Sequence, residues 1–312
     1  MESPSPRLMV LDTASMYFRA FYGVPDSFRA PDGTPVNAVR GLLDFIARMV
    51  SDYRPTHLIC AWDNDWRPAW RVELIPSYKA HRVEYVVPGA APDVEEVPDP
   101  LEVQIPVIVE MLTALGITIV GADGYEADDV IGTVATGAGM PVDVVTGDRD
   151  LFQLVDDDLA VRVLYIARGV SRHEQITDAV VREKYGVHAR QYADLATLRG
   201  DSSDGLPGVA GIGEKTAASL LRKFDDLAGI RAAATDPEAE MTPGLRAKIE
   251  TAAAYLDVAP QVVAVARDLD LGDYDARLPL APPDPELARE VTERWGLEGP
   301  VVRLLTALTE LA

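Results

Sequence analysis

Short apolar runs that stop on an aspartate recur through the first half of this 312-residue sequence, and they constrain its fold more than any other feature. "RLMVLDTA" ends at Asp12, "THLICAWDND" at Asp63, and "PVDVVTGDRD" runs into Gly147, Asp148 and Asp150. A short continuous apolar run bounded by turn residues reads as a strand buried on both faces. "VNAVRGLLDFIARMVSDYR" carries Val36, Val39, Leu42, Leu43, Ile46, Met49 and Val50 at helical spacing. "LEVQIPVIVEMLTALGI" reads as another helix, with Pro106 near its start or kinking it. "ITIVGADGYEADD" is a strand, a turn and a helix start, and "LAVRVLYI" is one more strand. Strands alternating with helices over residues 7–170 predict a parallel α/β sheet. Ligands of such sheets gather beyond the carboxyl ends of the strands. Asp12, Asp63 and Asp148 each lie at such an end, and Glu126, Asp128 and Asp129 open the helix behind another. Four loops would thus deliver carboxylates to one sheet edge.

From about residue 178 the pattern turns helical, in "TDAVVREKYGV", "ARQYADLATLRG", "GEKTAASLLRKF" and "GLRAKIETAAAYL". The chain divides accordingly into an α/β region over 1–177 and a helical region over 178–312. Its 48% hydrophobic content argues for a packed globule and against disorder. The N-terminal "MESPSPRLMVLDTA" has no apolar signal core and nothing later approaches 18 apolar residues, so a soluble cytoplasmic protein with no membrane partner is expected. The single Cys60, in "HLICAW", rules out a disulfide framework and reads as a buried, inert thiol. A net charge of −21 argues against indiscriminate binding to nucleic acid, because the mean field repels phosphate.

Position matters more than net charge. "GYEADDVIGTVA", residues 124–135, crowds Glu126, Asp128 and Asp129 together with no Lys or Arg nearby in sequence. Unit charges about 4 Å apart repel by roughly 4 kcal/mol at an effective dielectric near 20. Asp12, Asp63, Asp148, Asp150, Asp201 and Asp204 bring the set of acids at strand ends, turns and helix starts to nine. A lone example is usually a helix cap or turn former. Nine without a matching set of cations point to bound metal. Donors that are all oxygen favour Mg²⁺ or Mn²⁺ over zinc, and four histidines with no ligand-spaced pair agree. A metal pair on carboxylates suits phosphodiester hydrolysis, where it activates water and stabilises charge on attacking and leaving oxygens.

Two further stretches point to nucleic acid. "WRPAWRVELIPSYKAHR", residues 66–82, interleaves Arg67, Arg71, Lys79 and Arg82 with Trp66, Trp70 and Tyr78. Such a mixture suits gripping a phosphate backbone and stacking bases; the competing reading is a solvated basic face over two core tryptophans. "LPGVAGIGEKTAASLL" is one residue too long for a P-loop and follows no strand. A helix–hairpin–helix fits better, with Gly211 and Gly213 permitting the turn and the next helix start binding one phosphate. Lys215, Arg222 and Lys223 would add charge, although a plain turn between core helices remains an alternative.

"VLDTASMYFRAFYG", "AWDND", "YKAHR", "GYEADDVIGTVA", "VVTGDRDLFQLV" and "LRGDSSDGLPGVAGIGEKTAASLL", in that order over roughly residues 7–300, resemble the 5′-nuclease domain of bacterial DNA polymerase I. No polymerase module follows them, so the chain looks like a free-standing member of the flap endonuclease/5′–3′ exonuclease superfamily. The resemblance implies a PIN-like fold, with a mostly parallel sheet flanked by helices. It adds a helical arch at about 64–105 and a helix–three-turn–helix at about 192–222. It also implies a divalent-metal nuclease of DNA replication and repair, cutting 5′ flaps, nicks or recessed 5′ ends near a single-strand/duplex junction. Asp12, Asp63, Glu126 and Asp128 match the first metal group, and Asp148, Asp150 and Asp204 the second. Asp128 would reach both, with Asp129 and Asp201 as near neighbours. Lys79 and Arg82 would hold the scissile phosphate and act with Asp12, Asp128 and Asp148 in catalysis, while Tyr78 stacks a base. Arg19, Arg71, Gly211, Gly213, Lys215 and Thr216 complete the implied DNA contacts, and carbonyls of Val209 and Ile212 are the implied K⁺ ligands. A monomer in the bacterial cytoplasm, at the nucleoid, is the implied setting. Ile75 stands where several polymerase-linked relatives have an aromatic, and "VVPGAAPDVEEVPDP" is long and acidic for an arch.

Two other functions fit parts of the sequence. A non-catalytic DNA junction binder would use only the hairpin and leave nine acids without a role. A nuclease acting mainly on RNA, such as a primer on DNA, would use the same acids. Parallel DNA and RNA flap assays separate the two substrates.

Overall fold

A computed structural model of the chain describes residues 5–85 and 93–311, so part of the acidic arch stretch, 86–92, lies outside the described residues. The strands are β1 (Leu8–Asp12), β2 (His57–Trp62), β3 (Val83–Tyr85), β4 (Val94–Glu95), β5 (Thr118–Gly121), β6 (Val142–Thr146), β7 (Val161–Tyr165) and β8 (Glu174–Ile176). Six of them form one sheet in the order β5-β2-β1-β6-β7-β8, while β3 and β4 make a separate antiparallel pair. All neighbours in the large sheet are parallel except β8, an antiparallel edge strand that the sequence pattern had not suggested. The chain builds outward from β1 through β2 to β5, then returns to place β6 and β7 on the other side of β1. Strand order therefore reverses between β1 and β6, the place where open α/β sheets form a crevice.

The helices are α1 (Thr13–Gly23), α2 (Asn37–Tyr53), α3 (Ala69–Leu74), α4 (Asp99–Glu102), α5 (Ile105–Ala114), α6 (Ala127–Gly137), α7 (Asp178–Tyr185), α8 (Tyr192–Arg199), α9 (Glu214–Phe224), α10 (Leu227–Thr235), α11 (Pro243–Thr251), α12 (Ala253–Val263), α13 (Pro285–Trp295) and α14 (Glu298–Thr309). The pleat sorts β1 between two cores: Met9 and Leu11 pack with α1, α2, α5, α13 and α14, while Leu8 and Val10 face α6. The second core continues without a break into α7–α11, so the helical region shares apolar contacts with the sheet. The single helix expected over 101–117 is instead two, α4 and α5, with Pro106 in the first turn of α5 where its missing N–H costs nothing. Cys60 is fully buried in β2. Among the described residues no helix is long and apolar enough to cross a membrane.

Candidate active site

A cleft of about 690 Å³ opens at the switch point, and Asp12, Asp63, Glu126, Asp128 and Asp148 line it together with Lys79, Arg82 and Arg19. Local hydrogen bonds aim three of these acids. Asp12 ends β1 and caps α1, accepting from the Ser15 N–H at 3.0 Å and the Thr146 hydroxyl at 2.6 Å. Asp63 accepts from the Ala127 N–H at 2.8 Å, which ties the end of β2 to the first turn of α6. Asp148 accepts from the Asp150 N–H at 2.8 Å, closing the turn after β6. A small cavity of about 20 Å³, room for one water-sized species, lies beside the cleft among Asp128, Asp150, Asp204, Glu126, Arg71 and Tyr78. Asp128 and Glu126 border both spaces.

The charge on this wall is poorly compensated. Burial pushes Asp63 up to about 7. Burial also raises Asp12, Asp128, Asp150 and Asp204, with the Asp148 charge adding to the effect on each. Asp150 Oδ1 is buried without a hydrogen-bond partner. Clustered anionic oxygens, one of them orphaned, fit hard divalent cations by donor chemistry. Among the described residues, no three His, Cys, Asp or Glu side chains are drawn in tightly enough to enclose an ion.

At four expected positions, groups distant in sequence arrive in space: ion-pair partners at Asp129, Arg71 and Asp201, apolar side chains and Glu126 at Tyr78. Asp129 does not face the cleft: it is fully buried, and the Arg71 guanidinium donates to its two oxygens at 2.7 and 2.8 Å. The Ala266 and Glu126 N–H groups occupy the same carboxylate. Arg71, expected to contact DNA, is placed here as a buried ion-pair partner that also reaches Glu126 at 3.0 Å and the Val262 carbonyl at 3.2 Å. Asp201 is held by Arg149 at 2.9 Å and by the Ser203 N–H at 2.8 Å. Burial alone would raise Asp201, yet these bonds keep it below the usual carboxylate range. Tyr78 offers no free face for a base: only 4% exposed, it packs with Ile75, Leu206 and Val262 and donates its hydroxyl to Glu126 at 2.6 Å.

Glu126 lies between these groups, receiving Arg71, Tyr78 and the Lys79 ammonium. Burial opposes its charge, but Lys79 and Arg71 outweigh that and hold it low. Arg82 donates to the Asp204 carboxylate at 3.1 Å and the Ser203 carbonyl at 2.7 Å. The Asp204 loop reaches this segment because Gly205, at φ +70°, meets the Ser77 carbonyl so closely that a Cβ would lie 2.1 Å from its oxygen. Arg19, also on the cleft, donates to the Ala167 carbonyl at 2.8 Å.

In the hairpin, Gly211 has φ +74° and Gly213 caps α9, leaving Lys215 exposed and Thr216 half-buried in its first turn. Val209 and Ile212 bury their side chains, and the Val209 carbonyl accepts from the Ile212 N–H at 2.9 Å. Sequence reasoning missed Glu95, Phe18 and Tyr22, which also line the cleft. A signal for two of them existed: Ser15, Phe18, Arg19 and Tyr22 fall at i, i+3, i+4 and i+7, one stripe of α1 along the cleft.

A mostly parallel sheet with acids massed at its switch point, faced by a basic segment and backed by a helical hairpin, defines a nuclease. Residues 7–186 match the family model described as 5′-3′ exonuclease, N-terminal resolvase-like domain, and residues 187–286 match 5′-3′ exonuclease, C-terminal SAM fold. The chain belongs to the 5′-3′ exonuclease family. It is 62% identical over 301 residues to a 5′-3′ exonuclease of Streptomyces coelicolor, covering 96% of this chain and 100% of that one. A 5′-3′ exonuclease of Mycobacterium tuberculosis is 51% identical over 319 residues, covering 100% of this chain and 99% of that one. Among solved structures, T5 5′-exonuclease with bound zinc shares the fold at a TM-score of 0.63 and 18% identity, covering 98% and 99% of the two chains.

Proposed function

We propose that the cleft hydrolyses phosphodiesters near the junction of 5′-flap, nicked or recessed duplex DNA. The observation that carries this reading is the gathering of Asp12, Asp63, Asp128 and Asp148 around one cleft and of Asp128, Asp150 and Asp204 around its side cavity, with the buried Asp150 Oδ1 left without a hydrogen-bond partner. Divalent ions held by these six residues and Glu126 would supply an activated water and stabilise charge on the attacking and leaving oxygens. Asp129 and Asp201 would support the site from behind, through Arg71 and Arg149. Lys79 and Arg82 border the cleft and would fix the scissile phosphate by charge-assisted hydrogen bonds. The first turn of α9, with Lys215 and Thr216, would hold a duplex phosphate, and a K⁺ on the Val209 and Ile212 carbonyls would stiffen that turn.

The test is a 5′-end-labelled flap duplex incubated with Mn²⁺ or Mg²⁺, beside an Asp148→Asn variant and an EDTA control. Cleavage near the junction by the wild type alone is expected. Tight flap binding without cleavage in either metal overturns the reading in favour of a junction binder. A matched flap with a ribonucleotide 5′ strand measures the DNA preference in the same assay.

A further inference from the structure

Two cations of one short segment each sit on a carboxylate assigned above to metal. Lys79 donates its ammonium to Glu126 Oε2, at the cleft, and Arg82 donates to Asp204 Oδ1 at 3.1 Å, beside the small cavity. The two are joined through backbone: the Lys79 N–H donates to the Asp204 carbonyl at 2.9 Å, and the Arg82 N–H to the Lys79 carbonyl at 3.0 Å. Lys79 adopts φ +48°, a left-handed conformation that an L residue holds only when its surroundings impose it. The segment is thus clamped with both positive ends aimed into the acids.

We propose that Lys79 and Arg82 are built-in counter-ions for the metal-binding carboxylates, which an arriving divalent ion displaces and so frees to meet the phosphate. This rests on the reading of the cleft given under Proposed function. Three contrasts support it. Arg71 has no freedom to exchange, since its guanidinium is shared among Glu126, Asp129 and the Val262 carbonyl and is 3% exposed. Lys79 holds a single carboxylate, Glu126, with the Trp66 carbonyl at 3.3 Å and the Tyr78 ring 5.2 Å away, and its side chain borders the open cleft. Arg19 borders the same cleft but bonds to a backbone carbonyl, not an acid. Competition for one carboxylate is reciprocal: a cation that weakens metal binding is itself loosened by metal to the same extent.

The experiment is Mn²⁺ binding to the full chain without DNA, by calorimetry and by electron paramagnetic resonance, for wild type, Lys79→Gln, Arg82→Gln and Arg19→Gln. Lys79→Gln should bind Mn²⁺ about tenfold more tightly than wild type, the scale of one close charge removed from a partly screened site. Arg82→Gln should tighten it less, because that side chain is 35% exposed against 11% for Lys79. Arg19→Gln should change it least. Glu126 keeps Arg71 and Tyr78 in the Lys79 variants, so they should melt cooperatively in EDTA; Lys79→Met repeats the test if the Gln variant does not. Unchanged or weaker binding by the Lys79 variants overturns the proposal, as does equal tightening by Arg19→Gln, which would reveal only a general field. A wild type that binds no Mn²⁺ overturns the metal reading itself, a result distinct from both.

Discussion

Asp128 and Asp129 are neighbours in one helical turn, yet they live in different electrostatic worlds. Successive helical residues point about 100° apart. That angle turns Asp128 toward the cleft, where burial and Asp148 raise its proton affinity, and Asp129 inward onto the Arg71 guanidinium. An acid facing other acids is destabilised and available; an acid facing a buried arginine is satisfied and structural. The same division separates Asp150, which burial and Asp148 raise, from Asp201, which Arg149 occupies.

The sharpest way to break this comparison is to neutralise each neighbour separately. Asp128→Asn should lower flap cleavage by about 10³-fold, several kcal/mol of lost charge stabilisation, while the melting temperature in EDTA holds or rises. Asp129→Asn should leave Arg71 with Glu126 as its one carboxylate partner, at a cost of up to about 3 kcal/mol, and lower that melting temperature by several degrees. If Asp129→Asn keeps its melting temperature and loses only cleavage, the two acids belong to one class after all.

The next effect is on pH. Asp63 takes up its proton near 7 in the folded, metal-free chain but near 3.8 when unfolded. A raised folded value means that the folded state holds a proton the unfolded chain has released, so this contribution is present below about 4 and lost as pH rises through 7. The metal-free protein should therefore lose stability between about pH 4 and 7, and Asp63→Asn should remove up to about 4 kcal/mol of that loss. Thermal melts in EDTA across that range check it; a slope unaffected by the substitution contradicts the raised value.

Smaller effects sharpen the contrast between the two tyrosines. Tyr22 is 73% exposed at the cleft, whereas Tyr78 is enclosed. Tyr22→Ala should weaken flap binding by about 1–3 kcal/mol, the worth of one stacked base, with Tyr22→Phe close to wild type. Tyr78→Phe should instead lower the melting temperature, by the loss of a hydrogen bond to charged Glu126 worth about 1.5–3 kcal/mol. Smallest is Lys215→Ala, which should reduce the salt dependence of duplex binding by about 0.9 in log–log slope, one phosphate contact. Fluorescence anisotropy over a salt series reads it directly.

Much of this was legible in the residues. Apolar runs ending at Asp12, Asp63 and Asp148 announced both the parallel sheet and the edge where acids would collect, because a strand's end is a local event. The Gly211–Gly213 turn announced the hairpin for the same reason. The partners of those acids were not legible. Arg71 meets Glu126 and Asp129 across 55 and 58 residues, and Arg149 meets Asp201 across 52. Nothing in local spacing distinguishes an arginine bound for DNA from one bound for the core, and an aromatic beside cations looks the same whether it stacks or is buried. The sequence by itself thus determined the elements, the edge and the kind of chemistry, since periodicity and turn residues act within a few positions. Only the tertiary structure decided which acids stay uncompensated, since a charge is satisfied by whatever the fold brings within hydrogen-bonding distance.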